Sequence, residues 1–489
     1  MFSHIYRRVR LDDPTSGGPG REEGWRRRYT VLAKPGAPIH RVLIHGCSFV
    51  ITVDGAGRLH VLRDVSLLIE DGVIQSVVPA ARYRRDTLPP VDLLYDAEQN
   101  GGTVVTPGFV NAHSHPPMYL LRSSVMVERE TANFERALAN MAALERRMGV
   151  PDFTIGAVGD FTEQQRSGIT SVLSHYGVFE PIDEAARDTG MRVINAISLA
   201  SNSHPHNTPA LVDRLWRQRR HFSSELAVAI HYVFRASPAQ LRRIASVVRQ
   251  RNLRFTLHLG ELQRFVDECV RIHGDRPLRV LDRVGLLGPR TILSHGILLT
   301  DDEIRLIKRR GAVVVHLPTS NLIHRRGRFP YRSFRRLGAT DRIALGTDSV
   351  ISKNRLDLVT EAFQAKVMHQ ADAMIPFGEL FRMMTAQAAD LLGLDRVGRV
   401  VPGYRADLAF WALDHRGFQP YDPWNPKTLI GNMITYGARS VRDLMIDGQF
   451  IVSGGQHNRI DERALLEQLQ TSHTALRARA GRIRHSSAE

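Results

Sequence analysis

The chain has 489 residues, 43% of them hydrophobic and 24% charged, a balance that excludes fibrous and wholly disordered classes. That length exceeds what one core usually organises, so a large domain with a smaller companion is expected. The 66 basic and 50 acidic residues leave a net charge of +16. The arginines are spread through predicted helices such as 241–254 and 301–310, with no zinc-finger, helix-turn-helix or aromatic RNA-binding pattern. They read as a solvated outer face, and no nucleic-acid partner is expected.

Residues 1–38 mix Pro, Gly and Arg without periodicity and are expected to form an N-terminal extension without chemistry of its own. They contain no apolar stretch of signal-peptide type, and no later run approaches a membrane span. Cys47 and Cys269 alone make no disulfide framework, so a reducing compartment is implied and the cytoplasm is the expected location, without a membrane partner.

From Arg41 onward the pattern turns to short β-rich runs, 42–53 and 65–78, separated by Asp54-Gly55 and Asp71-Gly72 turns. Similar runs return at 406–413 and 441–452, with Asp447-Gly448 between strands. Both chain ends are therefore expected to build one composite β-sandwich from 39–104 and 398–460, leaving 461–489 as a C-terminal helix or tail. Between them, short apolar runs alternate with amphipathic helical stretches, the signature of βαβ units. The runs are 104–112, 169–173, 192–199, 226–230, 254–257, 291–293, 312–315 and 342–345. Eight such units predict an α/β fold, a (β/α)8 barrel over 105–397, with the active site at the carboxyl ends of the strands.

Chemistry stands at those ends. The first run leads into His113-Ser114-His115, the fifth into His258, the sixth into His295 and the eighth into Asp348. Alternate residues of an extended segment share a face, so His113 and His115 can point inward together. Imidazoles and a carboxylate converging on one mouth are first-row metal ligands, and three or four of them leave an open position for catalysis. His204-Pro205-His206 has the same spacing but lies in a polar, Pro-bearing stretch and reads as a surface loop. Asp302, Asp357 and Glu361 read as helix N-terminal charges.

Thr106-Pro-Gly-Phe-Val-Asn-Ala-His-Ser-His115, His258-Leu-Gly-Glu261, Ser294-His-Gly296, His316-Leu-Pro-Thr-Ser-Asn321 and Leu345-Gly-Thr-Asp348 resemble successive signatures of the amidohydrolase superfamily. Within it they are most similar to the aminohydrolase and chlorohydrolase branch acting on triazines, guanine and adenosine-type compounds. The resemblance runs from about Val42 to Ile460. It implies a β-sandwich beside a (β/α)8 barrel, with His113, His115, His258 and Asp348 around a metal. Binuclear relatives need a Lys after the fourth strand, and 227–234 has none. One divalent ion per subunit is therefore expected, zinc first and iron second.

The expected reaction is hydrolytic deamination of an amino-substituted nitrogen heterocycle by metal-activated water. The alternatives are hydrolysis of a cyclic amide or a carbon–halogen bond on the same scaffold, and a non-catalytic binding protein with a basic surface. Asp348 would orient the water, Glu261 would carry protons to a ring nitrogen and the leaving group, and His295 would polarise the substrate or steady the attacking oxygen. Substrate-binding candidates are Arg122, His231, His316, Asn321, Arg325 and Arg326. The run of Arg325, Arg326 and Arg328 suits an anionic substituent. His175, His231 and His316 stand equally between lining the pocket and serving as hydrogen-bonded structural residues. In relatives an acidic and aromatic segment follows the first helix, whereas 123–148 carries Glu128, Arg129 and Glu130 and no Trp. The expected partners are a small-molecule substrate and, in a homodimer, a second copy.

Overall fold

The computed structural model describes residues 3–6, 29–34, 36–83, 88–98, 101–122, 134–201, 203–353, 355–436 and 441–480, with backbone alone for 134–139. Eight parallel strands follow one another in sequence order around a barrel: β1 (Phe109–Ser114), β2 (Ile169–Tyr176), β3 (Arg192–Leu199), β4 (Glu225–Ile230), β5 (Phe255–Leu259), β6 (Thr291–His295), β7 (Val313–His316) and β8 (Ile343–Leu345). A single parallel bridge from Ser114 to Asp348 brings the first and last strands together.

The alternation of side chains along these strands sorts the core into two layers. Ala227 and Ala229 of β4, with Val313 and Val315 of β7, join an inner cluster. Their neighbours Leu226, Val228, Ile230 and Val314 join the larger cluster with the surrounding helices. With Leu173, Ile194 and Ile292 in the same inner cluster, the barrel interior is a filled core rather than a pore.

A second, mixed sheet of ten strands draws on both chain ends. The long strand Arg41–Val53 pairs with Leu59–Glu70, Leu93–Asp96 and Thr103–Pro107, and Leu408–Ala412 continues the sheet from the other end of the chain. It folds over its own core, which includes Leu67, Tyr95, Phe410 and Phe450.

The run expected at 104–112 is two strands in two sheets. Thr103–Pro107 pairs with Leu408–Ala412, and β1 begins at Phe109. Gly108 is the joint: a Cβ there would stand 2.2 Å from the Thr170 side chain, so only glycine lets the chain pass so close to β2.

The extension expected at 1–38 also needs correction in two places. Tyr29–Val31 is a strand paired with Leu93–Asp96, and Tyr29 stacks on Phe450 at 5.2 Å. Ile5 is fully buried, and Tyr6 bridges to Ile460. Aromatic and aliphatic side chains in these short pieces find apolar partners from the far end of the chain, which local periodicity cannot reveal. The terminal helix Glu462–Ala480 packs back onto the helix Val150–Arg166.

Helix Val150–Arg166 also lies against the turn Pro116–Leu121, which leaves the barrel directly after His115. At Gly156 an added Cβ would meet the backbone carbonyl oxygen of Pro117 at 2.4 Å, an atom that cannot rotate away. Gly156→Ala is therefore expected to destabilise the protein by about 1–3 kcal/mol, as overpacking does. A thermal melt showing an unchanged midpoint would contradict that contact.

Candidate active site and metal centre

Four of the expected residues meet at the carboxyl ends of the barrel strands. His115 Nε2 stands 3.3 Å and His113 Nε2 3.8 Å from Asp348 Oδ1, and His258 Nε2 is 3.3 Å from His115 Nε2. Donors around a tetrahedral ion with bonds near 2.1 Å lie about 3.4 Å apart, so this spacing fits a small divalent cation. His113 Nε2 is buried and has no hydrogen-bond partner among the described residues, as a nitrogen reserved for an ion would be.

Each imidazole is steadied through its other nitrogen. Nδ1 of His115 donates to the carbonyl of His175 at 2.7 Å, and Nδ1 of His258 to the carbonyl of His231 at 3.2 Å. His113 Nδ1 is 2.9 Å from Ser294 Oγ. These contacts turn all three Nε2 atoms inward, the arrangement that orients metal-ligating histidines.

Two local irregularities produce this geometry. The pairing of β1 with β2 shifts register between Asn111 and Ser114, which re-aims the strand as a bulge does. On β6, Ile292 belongs to the inner cluster and Leu293 to the outer one, so simple alternation would send His295 outward. Its φ of +74° turns it into the mouth instead, and Asp348 adopts a φ of +59°. Left-handed backbone at non-glycine residues is costly and concentrates at sites where side-chain placement matters.

Burial pushes His113 and His258 well below the usual imidazole range, with neighbouring histidines adding to the effect. They are held neutral, the form that ligates a metal. For Asp348, burial acts to raise the carboxyl, but the close contact with His115 and the surrounding imidazoles hold it well below its usual range. Since His113 is neutral, we assign the effect to hydrogen bonds rather than imidazolium charge. Ser320 Oγ donates to Asp348 Oδ2 at 2.5 Å and Ser349 N to Oδ1 at 2.8 Å, both favouring the carboxylate.

Glu261, 2% exposed, stands beside this cluster. Tyr232 Oη donates to its Oε2 at 2.7 Å, Arg326 Nε pairs with Oε1 at 2.7 Å, and His295 Nε2 is 3.8 Å from Oε2. His295 Nδ1 donates to Asn321 Oδ1 at 2.8 Å, which leaves Nε2 facing the pocket as an acceptor. Burial holds His295 below its ordinary value against the opposing pull of Glu261.

The remaining expected residues scatter. His231 and Arg326 line the pocket, together with Met118, Met141, Tyr232 and Ile351. Asn321 acts one step back, on His295. His316 stacks on Phe329 at 4.4 Å and meets His369 Nε2 at 3.3 Å, among the helices rather than at the pocket wall. Arg122 pairs with Glu163 and lies over Tyr119, and Arg325 is exposed. Arg328 pairs with Asp372 at 3.0 Å. The His204 loop sits against Phe153 and Tyr176. Glu128, Arg129 and Glu130 lie outside the described residues. Tyr232, Ser294 and Ser320 were not singled out from the sequence, although both serines stand inside the quoted motifs and Tyr232 directly follows His231.

No helix among the described residues is long and apolar enough to cross a membrane. Residues 104–451 match the amidohydrolase family. The 5-methylthioadenosine/S-adenosylhomocysteine deaminase of Pyrococcus furiosus is 30% identical over 415 residues, covering 82% of this chain and 94% of its own. The 5′-deoxyadenosine deaminase of Methanopyrus kandleri is 27% identical over 419 residues, covering 83% and 94%. Among solved structures, a zinc-bound adenosine deaminase from Xanthomonas campestris superposes with a TM-score of 0.79 at 26% identity, covering 89% of this chain and 98% of that one. The match over most of the chain, together with the barrel, shows that the protein belongs to the amidohydrolase family and is a metal-dependent hydrolase of C–N bonds.

Proposed function

We propose that the protein hydrolytically deaminates the adenine-type ring of a 5′-modified adenosine, using one divalent ion per chain, zinc first and iron second. The observation that carries this reading is Glu261, buried against the donor cluster and facing His295 without being part of either group of candidate ligands. The names of the relatives from Pyrococcus and Methanopyrus support the nucleoside class, and the apolar wall of Met118, Met141, Tyr232 and Ile351 suits a flat ring.

His113, His115, His258 and Asp348 would hold the ion. When bound, it supplies Lewis-acid polarisation and makes its water acidic enough to react near neutral pH. Glu261 takes a proton from the attacking water and delivers it to the ring nitrogen beside the amino-bearing carbon. A second proton leaves with the amino group as ammonia, and the ring keeps the water oxygen. His295 accepts a hydrogen bond at Nε2 and steadies the attacking oxygen. Tyr232 and Arg326 fix the Glu261 carboxylate between them. Arg326 is thereby engaged with a protein carboxylate, so a substrate anion is not required to explain it.

The test is ammonia release from adenosine, 5′-deoxyadenosine, methylthioadenosine and S-adenosylhomocysteine, beside guanine and an aminotriazine. Turnover is expected on the adenosine set and not on the other two. A chlorotriazine is assayed in parallel for halide, and activity confined to it, with no ammonia from the others, would replace the deaminase reading with the halide one.

A further inference from the structure

His175 stands at the carboxyl end of β2 and is 2% exposed. Leu173, two residues earlier, belongs to the inner barrel cluster, so strand alternation also aims His175 inward. Its ring stacks on His258 with centroids 4.8 Å apart, and lies 5.4 Å from His115 and 5.8 Å from His113. Neither ring nitrogen meets a hydrogen-bond partner among the described residues. An imidazole carries one donor and one acceptor, or two donors when charged, and buried groups of this kind are nearly always satisfied. Charging is opposed here: burial and the neighbouring histidines hold the ring well below its ordinary value.

What satisfies it is indicated by position. One nitrogen each of His113, His175 and His258 lie within 4.8 Å of one another, a second group of donors beside that of His113, His115 and Asp348. His113 is common to both groups, and its Nδ1 is committed to Ser294. A single lone pair, that of Nε2, therefore serves both groups, which calls for one ion rather than two. The backbone of His175 is already tied to the site through the hydrogen bond its carbonyl accepts from His115.

We propose that His175 is a fifth protein donor to the metal centre, which then comprises four imidazoles and one carboxylate. The inference rests on the metal-centre reading above and extends its ligand set. Such a set, with a position left for water, makes a six-coordinate centre rather than a tetrahedral one.

Cobalt(II) titration of the metal-stripped full chain tests it by visible absorption and affinity. Wild type is expected to give the weak bands of a six-coordinate ion. His175→Phe keeps a stacked ring and removes both nitrogens. It should bind cobalt at least about tenfold more weakly, with bands intensified as the ion falls from six to five ligands. His175→Gln, read in the same way, covers the case in which the Phe variant does not fold, and its bands should shift from those of wild type. Wild-type affinity and an unchanged spectrum in a folded variant would overturn the fifth donor while leaving the four-ligand centre intact. A folded wild type that takes up neither cobalt nor zinc would overturn both.

Discussion

Glu261→Gln is expected to lower turnover by roughly 10²-fold or more, the scale for losing a positioned proton carrier, while metal content stays near wild type. The surroundings of Glu261 make this substitution informative. Its two oxygens face Arg326 Nε and Tyr232 Oη, each at 2.7 Å. A glutamine can place its carbonyl toward Arg326 and its amide toward the Tyr232 oxygen, so both contacts have a replacement and the pocket has no new void. What disappears is the ability to take a proton and return it. The loss should appear in kcat and in kcat/KM alike, with little change in KM where KM reports binding, because the interaction is made in the transition state. Metal analysis and steady-state kinetics on the same preparation check it. Retained activity, or loss of metal along with activity, would show that Glu261 is not the proton carrier.

The barrel was legible in the sequence because each strand is a short apolar run with its chemistry at one end. Alternation paired His113 with His115 and the end of an apolar run marked His258, whereas Glu261 was picked out by its place in a family motif and the register shift that aims β1 left no signal in the period. The first strand was misjudged because Pro107-Gly108 interrupts hydrogen bonding without interrupting hydrophobicity, so two strands of different sheets read as one run. Side-chain direction after a strand end is the other limit. His316 closes β7 much as His258 lies near the end of β5, yet one goes to Phe329 and His369 and the other to His115.

Arg325 and Arg326 show the same limit at a helix end. The helix Pro318–Ile323 closes with Arg326 N donating to Asn321 O at 2.9 Å and Arg325 N to Leu322 O at 3.0 Å, while Arg325 takes a φ of +51°. This is the Schellman arrangement, whose left-handed position usually carries glycine. With an arginine there, the turn has no sequence signal, and nothing in the run of basic residues tells that Arg325 faces solvent while Arg326 meets Glu261. Tyr29 and Ile5 were missed for a third reason: their contacts are long-range, Tyr29 with Tyr95 and Phe450 and Tyr6 beside Ile5 with Ile460, and the described pieces of six and four residues are too short to show a period.

His258→Ala and His113→Ala are expected to abolish both metal retention and turnover, a larger effect than at Glu261 because the whole centre is lost. Each removes a nitrogen from the donor cluster at the mouth of the barrel. His113 Nε2 has no other hydrogen-bond partner, and His258 Nε2 faces only its fellow donor His115 among the contacts described. Deleting either also leaves Asp348 as a buried carboxylate facing fewer ligands, so the remaining set is both incomplete and more strongly anionic in character. Ser320, Ser349 and Arg326 continue to surround that carboxylate, which should keep the fold intact and make the variants soluble metal-free proteins. Wild type should lose activity on chelation and regain it with about one equivalent of zinc per chain, whereas neither variant should recover. Two tightly held ions per chain in active wild type would refute the mononuclear reading, and a His113→Ala protein that kept its metal would remove His113 from the ligand set.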